Sequence, residues 1–361
     1  MSLTPARFSP ARLIRVCMAL SLTVFFALLL GVAFGEKPLS LATAFVDPNS
    51  LDRGILLSLR LPRAILGALV GASLAASGAA LQALLQNPLA DPFVLGVSGG
   101  AALGGAFAIA LGLDRLPALL GSTLAALPSF VSALADGILS LSPVAAFAFG
   151  GALLATAVVF GAGRIGGRLS PYGALLAGVI FNAAASAAIT CIKTLTSPER
   201  VGALLYWLAG ALGYPSQGAL MALALVLIVA LGLMWRDAAG LNLLSLGDES
   251  AASLGVEVVR VRRRLFFCAS VCVASAVALS GLIGFVGLLV PHVLRLWLGP
   301  DQRLLLPASA LGGAAFLVLA DLCVRLLFPV LGAEAPVGVL TALLGGPFFL
   351  WLLRRRGELV G

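Results

Sequence analysis

Ten stretches of roughly twenty residues, nearly free of charged side chains, recur along the chain and are separated by short breaks rich in proline, glycine and arginine. Inside a bilayer no water satisfies a bare backbone, so runs of this kind cross either as helices or as strands of a closed barrel. Barrel strands alternate polar and apolar residues over about 10 positions, whereas these runs are continuous Leu, Ala, Val and Gly. The fold class is therefore read as an all-α integral membrane protein with about ten transmembrane helices. The spans are predicted at 13–34, 62–84, 93–112, 143–163, 172–193, 216–235, 265–281, 282–298, 305–327 and 337–353. Only 11% of the 361 residues are charged, against about a quarter in soluble domains.

The first span follows Arg7, Arg12 and Arg15, as a secretory signal would, but "SLTVFFALLLGVAFG" runs on without a clear small-x-small cleavage site. It is read as a retained helix. Orientation follows from the basic residues. With an inside N-terminus, Arg7, Arg12, Arg15, Arg164, Arg168, Arg236, Arg260, Arg262, Arg263, Arg264, Arg295, Arg303, Arg354, Arg355 and Arg356 fall inside, fifteen of the 23 Lys and Arg. Both termini are then expected in the cytoplasm. The net charge of +8 is a topology signal, and no nucleic-acid partner is expected.

Several chemistries are excluded by residue supply. The two lysines follow Glu36 and Ile192, so neither completes a G-x-x-x-x-G-K-[ST] phosphate loop. No Gly-x-Ser-x-Gly or His-Glu-x-x-His occurs, the single His292 builds no histidine metal site, and the five cysteines read as small packing residues. Catalytic and metal-ligating residues are expected to be none. An ion channel would show a re-entrant filter or a charged ring between spans, and none is found. A proton-coupled secondary transporter would place an ionisable relay inside its spans, whereas Asp321, the clearest carboxylate within one, lies near its outer end.

Small residues at steps of four, Gly67, Gly71, Ala75 and Ala79 in the second span and Gly96, Gly100 and Gly104 in the third, predict close helix contacts. A weak internal echo joins Ser77-Gly78 and Pro88 with Ser280-Gly281 and Pro291.

Six stretches make the chain recognisable. "RLPRAILGALVGASLAASGAALQALLQNPLADPFVLGVSGGAALG" (60–104), "LLAGVIFNA" (175–183), "YWLAGALG" (206–213), "LSLGDESAASLGV" (244–256), "GLIGFVGLLVPHVLRLWLGPDQRLLLPASALGGAAFLVLADLCVR" (281–325) and "PVGVLTALLGGPFFLWLL" (336–353) resemble the permease subunits of the iron-chelate, haem and cobalamin uptake family of ABC importers. The resemblance spans roughly 50–355 and leans slightly towards haem permeases. It implies a single permease domain over 1–361 with the type II ABC importer fold in a bacterial inner membrane. A homodimer is implied, working with two ATPase subunits and a periplasmic substrate-binding protein. ATP and Mg would sit on the partner ATPase, and this chain would bind no cofactor.

The resemblance also assigns residues. Arg60, Arg63 and Arg325, at the outer ends of their spans, would face acidic residues of the binding protein; snorkelling, or an Arg325 pair with Asp321, is the alternative. Within the inner loop 236–264, Gly247, Asp248, Glu249, Ser250, Ala251, Leu254 and Gly255 would form a short coupling helix against the ATPase. Its acidic residues sit at the start and its glycine at the end. Arg262, Arg263 and Arg264 are read as a membrane-interface anchor, and His292 as a packed polar residue behind the Pro291 kink. Asn87-Pro88 should end one helix and Asp91 cap the next. By resemblance Asn87, Pro88 and Leu89 would close an inner gate with Ser170 and Pro171. The connection 113–142 is longer than usual and is read as an outer amphipathic helix.

Overall fold

A computed structural model of the chain describes residues 8–35, 40–47, 49–113, 142–165 and 168–357. The elements are α1 (Pro10–Ala33), α2 (Leu41–Val46), α3 (Leu51–Ile55), a π-helical turn (Leu56–Arg60) continuous with α4 (Leu61–Leu84), α5 (Val97–Ala110), α6 (Pro143–Ala162), α7 (Pro171–Leu195), α8 (Pro198–Leu208) and α9 (Gln217–Arg236). They continue as α10 (Ala238–Leu244), α11 (Asp248–Ser253), α12 (Val258–Ser280), α13 (Val286–Leu298), α14 (Gln302–Leu331) and α15 (Val337–Gly357). Strands β1 (Arg164–Ile165) and β2 (Arg168–Leu169) form a minimal antiparallel pair between α6 and α7. The predicted outer helix of the 113–142 connection lies outside the described residues.

Every predicted span coincides with a helix. Seven are long and apolar enough to cross a membrane; α5, α13 and α15 are shorter apolar helices. At about 1.5 Å per residue the 14-residue α5 and the 13-residue α13 reach only about 20 Å, less than a hydrocarbon core of about 30 Å. The irregular segments before them, 91–96 and 281–285, complete the crossing. Irregular backbone at this depth survives where protein surrounds it. Gly281 and Ile283 are buried, the Ala211 amide donates to the Ser280 carbonyl at 2.9 Å, and Gly338 donates to Gly210 at 2.9 Å.

Several elements differ from expectation. α5 starts at Val97 and not at 93, because Gly96 (φ 82°) ends a run of turns. α12 starts at Val258, so the basic run 260–264 is helical. The helix α8, unforeseen in the sequence, starts at a proline after Ser197. The internal echo joins places that are not equivalent: Ser77-Gly78 lies inside α4 and Pro88 in a turn, whereas Gly281 ends α12 and Pro291 lies inside α13.

α4 is the pillar of the bundle. In its most apolar stretch 83% of residues are buried, against 11% in α7. Its most extensive partner is α14, followed by α12, α13 and α9. The predicted row supplies part of these contacts through Gly71, and Gly78, outside that row, supplies another. A Cβ on Gly71 would fall on the Gly313 carbonyl of α14, and one on Gly78 on the Gly287 carbonyl of α13. The second row works likewise, Gly100 meeting Gly151 and Gly104 meeting Phe147 of α6.

Overpacking such a contact costs about 1–3 kcal/mol or more. Gly71→Val is therefore expected to lower the thermal midpoint of the purified protein by several degrees. Gly150→Val, at an open position on α6, should leave it unchanged within error.

Candidate functional site

Polar chemistry gathers at the two ends of the bundle, called outer and inner after the charge bias. At the outer end four elements meet around Asp321. The Arg63 guanidinium holds this carboxylate through Nη2 at 2.7 Å and Nε at 3.1 Å, and Arg325 Nε lies 2.9 Å from its second oxygen. The exposure of the Arg63 and Asp321 side chains is 7% and 2%. Arg63 also pairs with Glu334, in the segment leading to α15, and its guanidinium sits 5.9 Å from the Tyr214 ring.

Arg325 also finishes α1, together with Arg60. The last carbonyls of a helix lack partners within it and attract cations. Arg325 donates to Gly31 at 2.9 Å and to Phe34 at 3.2 Å, and Arg60 donates to Ala33 at 2.9 Å and to Val32 at 3.2 Å. The three arginines predicted to dock a partner are thus gathered at one end, as expected, but each guanidinium is engaged within the chain. The Arg325–Asp321 pair weighed as the alternative is present. All three line a hollow of about 230 Å³.

Removing one partner of a buried pair strands a charge, at about 3–5 kcal/mol. Asp321→Asn is expected to lower the thermal midpoint more than Glu334→Gln, whose carboxylate is partly exposed. Melting curves in one detergent compare them.

At the inner end the loop between α9 and α12 is pinned at several points. Arg264 pairs with Asp237 at 3.0 Å, and Asn242 bridges Asp301 (2.8 Å) and the Gln302 amide (2.9 Å). Asp301 also caps α14 and pairs with Arg303 at 2.7 Å. Burial raises the Asp301 pKa, but hydrogen bonds from Arg303 and Asn242 outweigh it and hold the carboxyl below the usual range.

α11 lies on this loop between two glycines in conformations that disfavour side chains, Gly247 (φ 104°) and Gly255 (φ 86°). Arg262, buried in α12, holds Asp248 at 2.6 Å, and Ala251 is buried in the inner core. Those two residues of the predicted coupling set face inward and fix the helix. Glu249, Ser250, Leu254 and Gly255 face outward, joined by Leu246, which the sequence reading missed; Leu246 and Leu254 are 65% and 61% exposed. Arg262 and Arg264 are loop partners, which corrects their reading as a simple interface anchor. Paired charges 14 and 27 residues apart leave no local pattern to detect.

Between α4 and α5 lies the turn of the predicted gate. The Asn87 side chain accepts from the Leu89 amide at 2.9 Å, and the Ala90 amide donates to the Asn87 carbonyl at 3.0 Å, leaving Leu89 exposed. Asp91 accepts from the Phe93 amide at 2.8 Å, so it caps a turn at 91–94 and not the helix itself. α7 meets this segment through Asn182, which donates to Phe93 at 2.7 Å, and through Gly178 against Val94 and Leu95. Ser170 caps α7 and Pro171 opens it. Among the described residues no hydrogen bond joins Ser170 or Pro171 to residues 87–89 within one chain.

α4 closes in a Schellman motif: Asn87 donates to Gln82 (3.0 Å) and Gln86 to Ala83 (3.2 Å). Gln86 occupies the left-handed position (φ 51°) that glycine usually takes, at about 1–2 kcal/mol. Its amide reaches the Leu244 carbonyl of α10. Nearby, Gln82 donates to Gly287 at 3.1 Å and accepts from Arg295 at 2.8 Å. His292 is buried, its ring edge-on to Phe349 at 5.8 Å. Among the described residues no cluster of three His, Cys, Asp or Glu could hold a metal.

The arrangement describes a class: a multi-span membrane permease, with a charged node at one end and a short presented helix beside a rigid turn at the other. Residues 20–355 match the FecCD transport family, and the chain belongs to that family. It is 39% identical over 347 residues to the hemin transport system permease protein HmuU of Yersinia pestis, covering 95% of this chain and 97% of that one. It is 42% identical over 302 residues to the cobalamin import system permease protein BtuC of Halobacterium salinarum, covering 84% and 74%. Among solved structures, a metal-chelate type ABC transporter in an inward-facing conformation matches with a TM-score of 0.74 and 28% identity, over 95% of this chain and 99% of that one. The fold is that of a type II ABC importer permease.

Proposed function

We propose that this chain is the membrane-spanning subunit of an ATP-driven importer of a large metal chelate, with haem the first cargo to test and ferric siderophores and cobalamin next. The carrying observation is α11. A chain with no phosphate-binding loop presents at its inner end a short helix, fixed from behind by Arg262 and Ala251 and flanked by exposed Leu246 and Leu254. That is the shape of a contact for a partner that hydrolyses ATP. Full-length similarity to a hemin permease favours haem first, and a cavity of about 570 Å³ lined by Tyr206, Trp207 and Tyr214 near the outer end is compatible with a flat conjugated cargo.

In this reading the complex holds two copies of the chain, two ATPase subunits carrying ATP and Mg, and a periplasmic binding protein. It lies in the inner membrane with both termini cytoplasmic. The exposed apolar face of α7, with Leu176, Val179 and Ile180, supports a homodimer contact. The gate is Asn87-Pro88-Leu89 with Ser170-Pro171, which a second copy brings together. The path opens to one side at a time as ATPase closure moves α11.

Docking at the outer end is proposed to use the field of Arg60, Arg63 and Arg325, three positive charges around two carboxylates, more than free guanidiniums. The proton-coupled alternative gains no support, since Asp321 is locked between two arginines.

Reconstitution tests this function. The permease with its ATPase subunit in liposomes should import haem supplied by the binding protein only when ATP is present. Uptake driven by a pH gradient without the ATPase subunit would refute it. ATPase stimulation by haem, ferric siderophores and cobalamin, each on the binding protein, identifies the cargo.

A further inference from the structure

The inner turn and the presented helix meet at one atom, the carbonyl oxygen of Leu244. It accepts the Gly247 amide at 3.1 Å, the bond that begins the approach to α11, and it also accepts the side-chain amide of Gln86, 158 residues away in sequence. Gln86 stands where the closing motif of α4 favours glycine, in a chain with 42 glycines. Glycine would relieve the backbone but could not reach Leu244. Packing repeats the connection: Leu85 and Ala90 share one buried cluster with Leu241, Leu244 and Ala251.

Beyond Gln86 the chain is stiff. Two of the hydrogen bonds of Asn87, from the Leu89 and Ala90 amides, tie residues 87–90 into one unit, so a displacement of Gln86 carries Leu89 with it. On the α11 side, Leu246 donates to Leu243 and Gly247 to Leu244, each by its backbone amide. A push on Leu246 or Leu254 therefore arrives at Leu244.

We propose that Gln86 is the positioning residue through which movement of the α11 loop reaches the 87–90 turn, by way of the Leu244 carbonyl. The inference rests on the reading of α11 as the contact for an ATPase subunit. Gln86 touches neither cargo nor nucleotide. It converts displacement of one inner segment into displacement of another.

The test uses the full complex in liposomes, with Cys191 and Cys323 replaced by Ser and a bimane label on Leu89→Cys. The probe is ATP with vanadate, so the readout does not depend on the cargo. Gln86→Gly removes the amide and relieves the backbone; Gln86→Met removes it and keeps the length and the backbone demand. Both are expected to reduce the nucleotide-dependent bimane change at least fivefold while ATP hydrolysis falls less than twofold. A defect shared by both variants belongs to the amide and not to strain. A full-sized bimane change in either folded variant, or a loss in proportion to hydrolysis, would overturn the link. Failure of the unsubstituted complex to assemble with an ATPase subunit would instead sink the importer reading, and this link with it.

Discussion

Helices in lipid gain no hydrophobic energy from touching one another, so a bundle of this size holds together only where backbones approach closely and polar groups find partners. α4 meets that constraint. Gly71 against Gly313 and Gly78 against Gly287 bring it next to α14 and α13 at distances a side chain would forbid. The short helices α5 and α13 are tolerated because the irregular segments before them are enclosed by protein.

With the middle of the bundle given to packing, charge is confined to the ends, and the two ends use it differently. At the outer end Asp321 draws Arg63 and Arg325 from different helices, and Arg325 together with Arg60 finishes α1, so the node is a structural clamp with residual positive charge. At the inner end the pairs Asp237 with Arg264 and Asp248 with Arg262, and the hydrogen bond from Asn242 to Asp301, hold a loop. The loop is fixed on one side and leaves Leu246, Glu249, Ser250 and Leu254 free to meet a partner. The proposed ATPase contact would use that face.

Much of this was legible in the sequence because a bilayer allows few solutions. Unbroken apolar runs predicted all ten crossings, and the steps of four in Gly67, Gly71 and Ala75 predicted the tight face of α4. The short inner helix was readable because its acidic start and glycine stop are local signals. Long-range pairing was not readable. Nothing near Arg262 indicates that Asp248 is its partner, and an arginine beside a span looks the same whether it anchors to headgroups or finishes another helix, as Arg60 and Arg325 do for α1. Gln86 was missed for a related reason: a left-handed residue that is not glycine carries no sequence mark, and its partner is a backbone carbonyl.

The central claim is that α4 is a rigid pillar whose inner turn moves with the loop beside it. Hydrogen exchange in nanodiscs, with and without the bound ATPase subunit, tests it directly. The account predicts that amides within 66–80 exchange slowest and do not change, while 86–91 and 244–255 change protection together on binding. Loss of protection along the middle of α4, or a change in one inner segment without the other, would contradict it.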